Sequence, residues 1–284
     1  MKRREFFKQA AFTASALAMT PWPSVSSVSG KKYANDVVTL GKTGIKVSRL
    51  AMGTGTNGFG RRSDQTDRLG VKGLSGLLLA AYDEGVNFWD SADQYGTHPH
   101  LKEALKTASR NNVVILTKTH ATSARAMKAD LDRFRKELGT DYIDIVLLHM
   151  MTDSDWPEQM EGVMEVLAKA REEGVVRAHG VSCHTLRALK AAADCDWVQV
   201  DLARINPAGI SMDADVSTVA GVLNTMHSKG KGVIGMKILG VGRLRNRIDE
   251  CLRYTLDLGS IDAFTIGQEN VDEMKDLVKR IGGL

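Results

Sequence analysis

Between Arg49 and Ile281 the chain alternates short apolar runs with longer stretches in which apolar residues return every three or four positions. That alternation constrains the fold more than any other feature. The short runs read as buried strands and the periodic stretches as helices with one covered face. Strands are predicted at Arg49–Met52, Asn87–Trp89, Val113–Leu116, Ile143–Leu148, Arg177–Val181, Trp197–Asp201, Gly232–Met236 and Ala263–Ile266. Helices are predicted at Leu69–Gly85, Pro99–Ser109, Ser123–Leu138, Pro157–Glu173, Thr185–Ala193, Asp213–Lys229, Arg245–Asp257 and Val271–Ile281. Ser123 is a suitable N-cap and Pro157 suits a first helical turn. Eight such units fit a closed (β/α)8 TIM barrel; an open doubly wound sheet is the alternative. Ahead of the first unit, two alternating stretches flank Gly41–Gly44, which predicts an N-terminal β-hairpin capping the barrel bottom. The barrel is expected to occupy 36–284 with no second domain.

Residues 1–30 stand apart. Lys2-Arg3-Arg4-Glu5-Phe6-Phe7-Lys8 precedes a mildly apolar stretch from Ala10 to Met19 and a Pro/Ser linker. This is the pattern of a twin-arginine export signal, and its apolar part is too short to span a bilayer. The expectation is a periplasmic protein, carried by the twin-arginine translocation machinery and without a stable membrane span after processing. Those thirty residues hold four Lys/Arg and one Glu, so without them the formal charge falls from +4 to about +1. No basic surface for nucleic acid is implied. Cys183, Cys195 and Cys251 are odd in number and widely spaced, which is no disulfide framework.

Three consecutive predicted strands end on chemical groups: Asn87–Trp89 on Asp90, the next on Lys118, and the next on His149. Tyr95 follows Asp90 by five positions, before a turn glycine. In a parallel barrel all strand ends open on one face, where active sites sit. An ammonium beside a phenol favours phenolate, and a carboxylate can hold the ammonium in place. An imidazole can then donate a hydrogen bond to a carbonyl that the phenol protonates. Such a site lacks only a hydride source, which a nicotinamide dinucleotide provides.

In order and spacing, Asp90-Ser-Ala-Asp-Gln-Tyr95-Gly, Leu116-Thr-Lys118 and Leu147-Leu-His149 resemble the catalytic tetrad of the aldo-keto reductase family. Leu40-Gly-Lys-Thr-Gly-Ile-Lys-Val-Ser, Met52-Gly-Thr, Gly180-Val-Ser182, Val198-Gln199-Val, Met236-Lys-Ile-Leu-Gly and Ile266-Gly267 extend the likeness over nearly the whole chain after residue 36. The resemblance implies reduction of a small aldehyde or ketone by NADP(H) or NAD(H). Tyr95 would be the proton donor, Lys118 its charge partner, Asp90 the anchor and His149 the group orienting the carbonyl. For the cofactor it implies Gly53 and Thr54 near the first strand, Ser182 and Gln199 at the carboxamide, and Lys237, Leu239, Gly240 and Gly242 around the pyrophosphate. Gly267 and Asn270 would lie near the adenosine end. The usual asparagine after the serine is Cys183 here, and Leu202 or Ile205 takes the place of a stacking aromatic. Glu269 stands where many NADP-specific relatives place an arginine, which leaves NAD(H) open. The short stretch after the last helix implies an open, shallow substrate pocket.

Two other functions compete. His98, His100, His120, His149 and His184 all fall near strand ends, as the ligands of a metal-dependent barrel hydrolase would. However, no His-x-His pair begins the barrel, and no metal is expected. A non-catalytic, dinucleotide-binding regulatory barrel is the second rival, and retention of all four tetrad residues argues against it.

Overall fold

A computed structural model describes residues 30–284; the twin-arginine segment lies outside them. Strands β1 (Val37–Thr39) and β2 (Lys46–Ser48) form the expected antiparallel hairpin. Gly41 has φ +46°, and a Cβ there would meet the Gly230 carbonyl oxygen at 2.4 Å. Asp262 accepts from the amides of Gly41 and Val233 at 3.3 and 2.9 Å, tying the hairpin to the barrel's lower rim. Leu40, Ile45 and Val47 pack into the apolar cluster inside the barrel and so close its bottom.

Eight parallel strands follow: β3 (Leu50–Gly53), β4 (Phe88–Asp90), β5 (Val114–Thr119), β6 (Ile143–Met151), β7 (Val176–Cys183), β8 (Val200–Arg204), β9 (Gly232–Met236) and β10 (Ala263–Gly267). They pair in chain order, and β10 returns to β3 to close a (β/α)8 barrel. Around it lie α1 (Asp64–Asp83), α2 (His98–Ala104), α3 (Ala124–Leu138), α4 (Trp156–Gln159), α5 (Glu161–Glu172), α6 (Leu186–Asp194), α7 (Val216–Ser228), α8 (Ile248–Asp257) and α9 (Val271–Gly283). No described helix is long and apolar enough to cross a membrane. Ser63 and Thr66 cap α1 reciprocally, Ser123 caps α3, and Thr185 caps α6, each satisfying amides that open a helix. The single helix expected at Pro157–Glu173 is two, divided at Met160.

Alternate residues of each strand face the interior and the helices, so both sets are buried. Phe88, Leu116, Leu147 and Ile234 belong to the inner cluster, whereas Trp89, Ile115, Val146 and Val233 pack outward under the helices. The same alternation carries Lys118, His149, Ser182 and Arg204 along the inward rows to the mouth.

Strand β8 departs from expectation by three residues, running Val200–Arg204 instead of Trp197–Asp201. Trp197 stacks on His179 at 4.2 Å and donates its indole N–H to the Met164 carbonyl, so it stands at the strand's entrance. Asp201, which reads as a strand end, is instead an outward residue of the strand interior, fully buried with neither carboxylate oxygen partnered among the described residues. Burial, with Asp213 adding repulsion, raises its pKa to about 8. A carboxyl whose folded pKa exceeds its unfolded value near 4 favours the folded state least when it must give up its proton, so stability falls as pH rises from about 4 to about 8. Asp201→Asn keeps the shape without the ionisation. It is expected to raise the melting temperature at pH 8, with a gain that shrinks toward pH 4; parallel thermal scans across that range check it.

Candidate active site

The mouth is organised by one buried ion pair. Lys118 Nζ donates to Asp90 Oδ1 and, at 2.7 Å, to the Ser91 carbonyl. The second Asp90 oxygen accepts from Thr265 Oγ1 of β10 at 3.0 Å, and Thr54 Oγ1 donates to the Asp90 carbonyl at 2.8 Å. Two strands, β5 and β10, thus meet on the Asp90 carboxylate, and the residue after β3 holds its backbone carbonyl. Burial works against the Lys118 ammonium, but Asp90 and Tyr95 outweigh it and hold its pKa above the ordinary lysine value.

Tyr95 ends a single 3-10 turn, Asp93–Tyr95, just beyond β4. Lys118 Nζ lies 4.8 Å from the centre of its ring, and the His149 ring meets it edge-on at 5.7 Å. Asp90, Tyr95, Lys118 and His149 therefore do share one mouth. The expected lowering of the phenol pKa is not what results. Burial pushes it up, and with Asp90's contribution this exceeds the pull of Lys118. The phenol keeps its proton, as an acid must before it acts.

An irregularity adjoins His149 at the mouth. The β6–β7 register slips between Leu148 and Met151, and Met150 has φ +65°. The Met150 amide donates to Ser182 Oγ at 3.1 Å, so Ser182 pins the bulge and its own O–H stays available. Burial first, then Lys118, His120 and His184, lower the His149 pKa to about 2. Its imidazole is neutral, with Nδ1 buried and without a partner among the described residues.

The other expected cofactor residues divide. Ser182, Lys237, Leu239, Gly242 and Gly267 stand at strand ends or on the loop after β9. Gly53 and Gly267 are cross-strand partners; a Cβ on Gly53 would stand 3.0 Å from the Gly267 amide, and one on Gly267 would stand 2.5 Å from Thr56 Oγ1. Side chains there would fill the cradle. Lys237 is half-buried with φ +59°, and its pKa is lowered by burial and by Arg204 and Lys118. Among the described residues it has no ion-pair partner, so the corner fits an anionic group such as a pyrophosphate. Gly240 is buried against Leu244 and shapes the loop from within.

Three assignments change. Gln199 lies just before β8, at the opposite end of the barrel, where its side chain accepts from the His179 amide at 3.3 Å. The three-residue displacement of β8 removes it from the mouth and brings Arg204 there instead. Thr54 is fully buried and supports Asp90 rather than a ligand. The Asn270 side-chain oxygen caps α9 by accepting from Glu273 at 2.8 Å. Glu269 is paired with Arg68 of α1, so it is not a lone carboxylate.

Several residues at the mouth carried no strong sequence signal. His120 stacks on His149 at 4.6 Å and bonds Gln94. Arg204 pairs with Asp213 while its Nε has no partner among the described residues, and β8–β9 register sets it beside Met236. The one cluster of described residues with metal-ligand spacing is Asp93, His98 and Glu137, and Arg61 and Arg133 already hold its carboxylates. Cys183 faces outward in the apolar layer, where burial raises its thiol well above the ordinary value; it is no nucleophile. Cavities of about 430 and 160 Å³ open at the barrel's lower end, lined by Thr43, Ile45 and Arg177 and by Arg49, Asp262 and Phe264, away from the mouth.

The aldo/keto reductase family matches residues 51–279, most of the chain. The chain belongs to that family. Among curated relatives, L-galactose dehydrogenase of Arabidopsis thaliana is 25% identical over 225 residues, covering 72% of this chain and 66% of its own length. L-glyceraldehyde 3-phosphate reductase of Escherichia coli K12 is 25% identical over 228 residues, covering 73% and 62%. This chain thus spans less than two thirds of either relative. A crystal structure of an aldo-keto reductase-like protein from Pseudomonas aeruginosa superposes with a TM-score of 0.73 at 23% identity, covering 89% of this chain and 97% of the other. Within the family fold, the Lys118–Asp90 pair has a testable energetic signature. Lys118→Met leaves a buried carboxylate without its cation and is expected to cost about 3–5 kcal/mol in urea unfolding. Adding Asp90→Asn should recover part of that loss.

Proposed function

We propose that this member of the aldo/keto reductase family reduces a small aldehyde or ketone with NADP(H) or NAD(H), and that Tyr95 is the general acid. The observation that carries the reading is a protonated phenol between a buried ammonium and a neutral imidazole. When bound, the dinucleotide supplies the hydride.

The residues divide the remaining work. His149, neutral and with Nδ1 turned into the protein, has Nε2 left to donate to the substrate oxygen and set its angle. As negative charge gathers on that oxygen, the Tyr95 hydroxyl gives up its proton, and the Lys118 ammonium stabilises the phenolate left behind. Asp90 holds Lys118 in place and limits how strongly it acidifies the phenol beforehand. The Ser182 O–H would meet a carboxamide, and Lys237 would offset a pyrophosphate; the position of Ser182 beside His149 and the missing ion-pair partner of Lys237 among the described residues support this. Arg68 offsets Glu269, so both NADP(H) and NAD(H) remain compatible with the adenosine end. The names of the two relatives point to sugar-derived hydroxyaldehydes as the first substrates to try. The Arg3-Arg4 segment supports a periplasmic location reached through the twin-arginine machinery, with the dinucleotide loaded before export.

Oxidation of NADPH or NADH by a panel of reactive aldehydes tests this reading. Tyr95→Phe is expected to lower kcat by about a hundredfold or more, since general acid catalysis is worth that much, while quenching of dinucleotide fluorescence persists. Near-normal turnover in that variant would remove Tyr95 from the mechanism, and binding without turnover in the wild type would support a regulatory barrel. The pH profile gives a second check. The protonated phenol is the active form and its pKa is raised, so reduction is expected to hold level from about pH 6 to about pH 9 and decline only above the ordinary phenol value near 10. A break near pH 6.5 would contradict a neutral His149.

A further inference from the structure

The ring of Tyr95 lies in a slot of bare backbone. A Cβ on Gly55 would stand 2.1 Å from its Cε2, and a Cβ on Gly58 would stand 2.2 Å from its Cδ1. Carbon atoms rest about 3.5–4.0 Å apart, so neither position admits a side chain while the phenol stays where it is. Backbone torsion does not impose these glycines, because neither is in the left-handed region. The ring imposes them.

The slot is rigidly mounted. Gly58 N–H donates to the Gly55 carbonyl at 3.0 Å, closing a tight turn. On one side, the Thr56 amide donates to Gln65 Oε1 at 3.0 Å, and the Thr56 carbonyl accepts from the Asp64 amide at 2.9 Å, fixing the turn to α1. On the other side, the Arg61 amide donates to the Gln94 carbonyl at 2.8 Å, and the Arg61 guanidinium meets Asp93 at 3.0 Å. Gln94 and Asp93 belong to the same 3-10 turn that carries Tyr95. The loop between β3 and α1 is therefore bolted to the turn whose aromatic ring it covers.

We propose that Gly55 and Gly58 are positioning residues for the acid: their missing side chains set how the Tyr95 ring stands between Lys118 and His149. The catalytic half of this proposal rests on Tyr95 being the proton donor; the geometric half does not. A methyl group at either position forces the ring aside by about 1 Å, enough to misalign a proton transfer without touching the dinucleotide cradle.

Gly55→Ala and Gly58→Ala, made in the full chain, test it by two readouts. In carbonyl reduction, kcat is expected to fall about a hundredfold, with KM and the dissociation constant for NADPH, from fluorescence titration, within about threefold of wild type. In thermal unfolding, Gly58→Ala is expected to lower the melting temperature of the wild type but not of a Tyr95→Ala variant, where the ring is gone. Gly76→Ala on α1, facing open space, is the control: it should leave kcat unchanged and raise the melting temperature slightly, as alanine replacing glycine inside a helix does, with and without the Tyr95 ring. Retention of kcat in both glycine variants of a protein that reduces carbonyls would overturn the proposal while leaving the proposed function intact. Absence of turnover in the wild type would count against that function instead, and the thermal cycle would then decide the slot. An equal melting loss from Gly58→Ala with and without the Tyr95 ring would overturn it.

Discussion

A lysine ammonium and an aspartate carboxylate held together inside the barrel mouth are what the rest of the site depends on. Removing each ion from water costs several kcal/mol, and direct contact offsets that cost only when the remaining lone pairs and protons are also bonded. Here they are: Lys118 also donates to the Ser91 carbonyl, and Asp90 also accepts from Thr265. The pair spans β4, β5 and β10, and its second-layer support from Thr54 comes off β3. Closure of the barrel is therefore a condition for the pair, since β10 meets β3 only when the sheet returns on itself.

The pair also governs the charge states around it. An isolated ammonium near Tyr95 would acidify the phenol; one already neutralised by Asp90 leaves burial in control, and the phenol stays protonated. The residual positive potential acts on the imidazoles instead. His149 and His184 are each lowered by burial and by neighbouring cations, His149 to about 2 and His184 to about 4. The mouth thus combines proton donors that are neutral with Lys237, which has no ion-pair partner among the described residues, a combination suited to an anionic ligand.

Much of this was legible in the chain. Asp90, Lys118 and His149 fall near the ends of three successive strands, and strand direction in a parallel barrel sends all three to one face. The hairpin was legible for a similar reason, through the turn at Gly41–Gly44 and the apolar residues on either side. Strand β8 was less legible. With β8 lying three residues beyond Trp197–Asp201, Gln199 stands at the opposite end from the position that the family resemblance implies, and Asp201 falls inside the strand, where carboxylates seldom sit. Its raised pKa explains the exception: a protonated carboxyl can occupy an apolar layer that a carboxylate cannot.

Local sequence by itself determined the order and kind of the elements, the likeness to the family, and which carboxylate, phenol, amine and imidazole stand near the strand ends. Those depend on periodicity and on residue types at strand ends, which neighbouring residues suffice to specify. Tertiary structure alone decided which groups touch: that Thr265 completes Asp90 from across the barrel seam, that Ser182 pins the bulge beside His149, and that two glycines leave room for one aromatic ring. Each of those contacts joins segments far apart in the chain, and both the protonation states and the fit of the ring arise from the enclosure those segments build together.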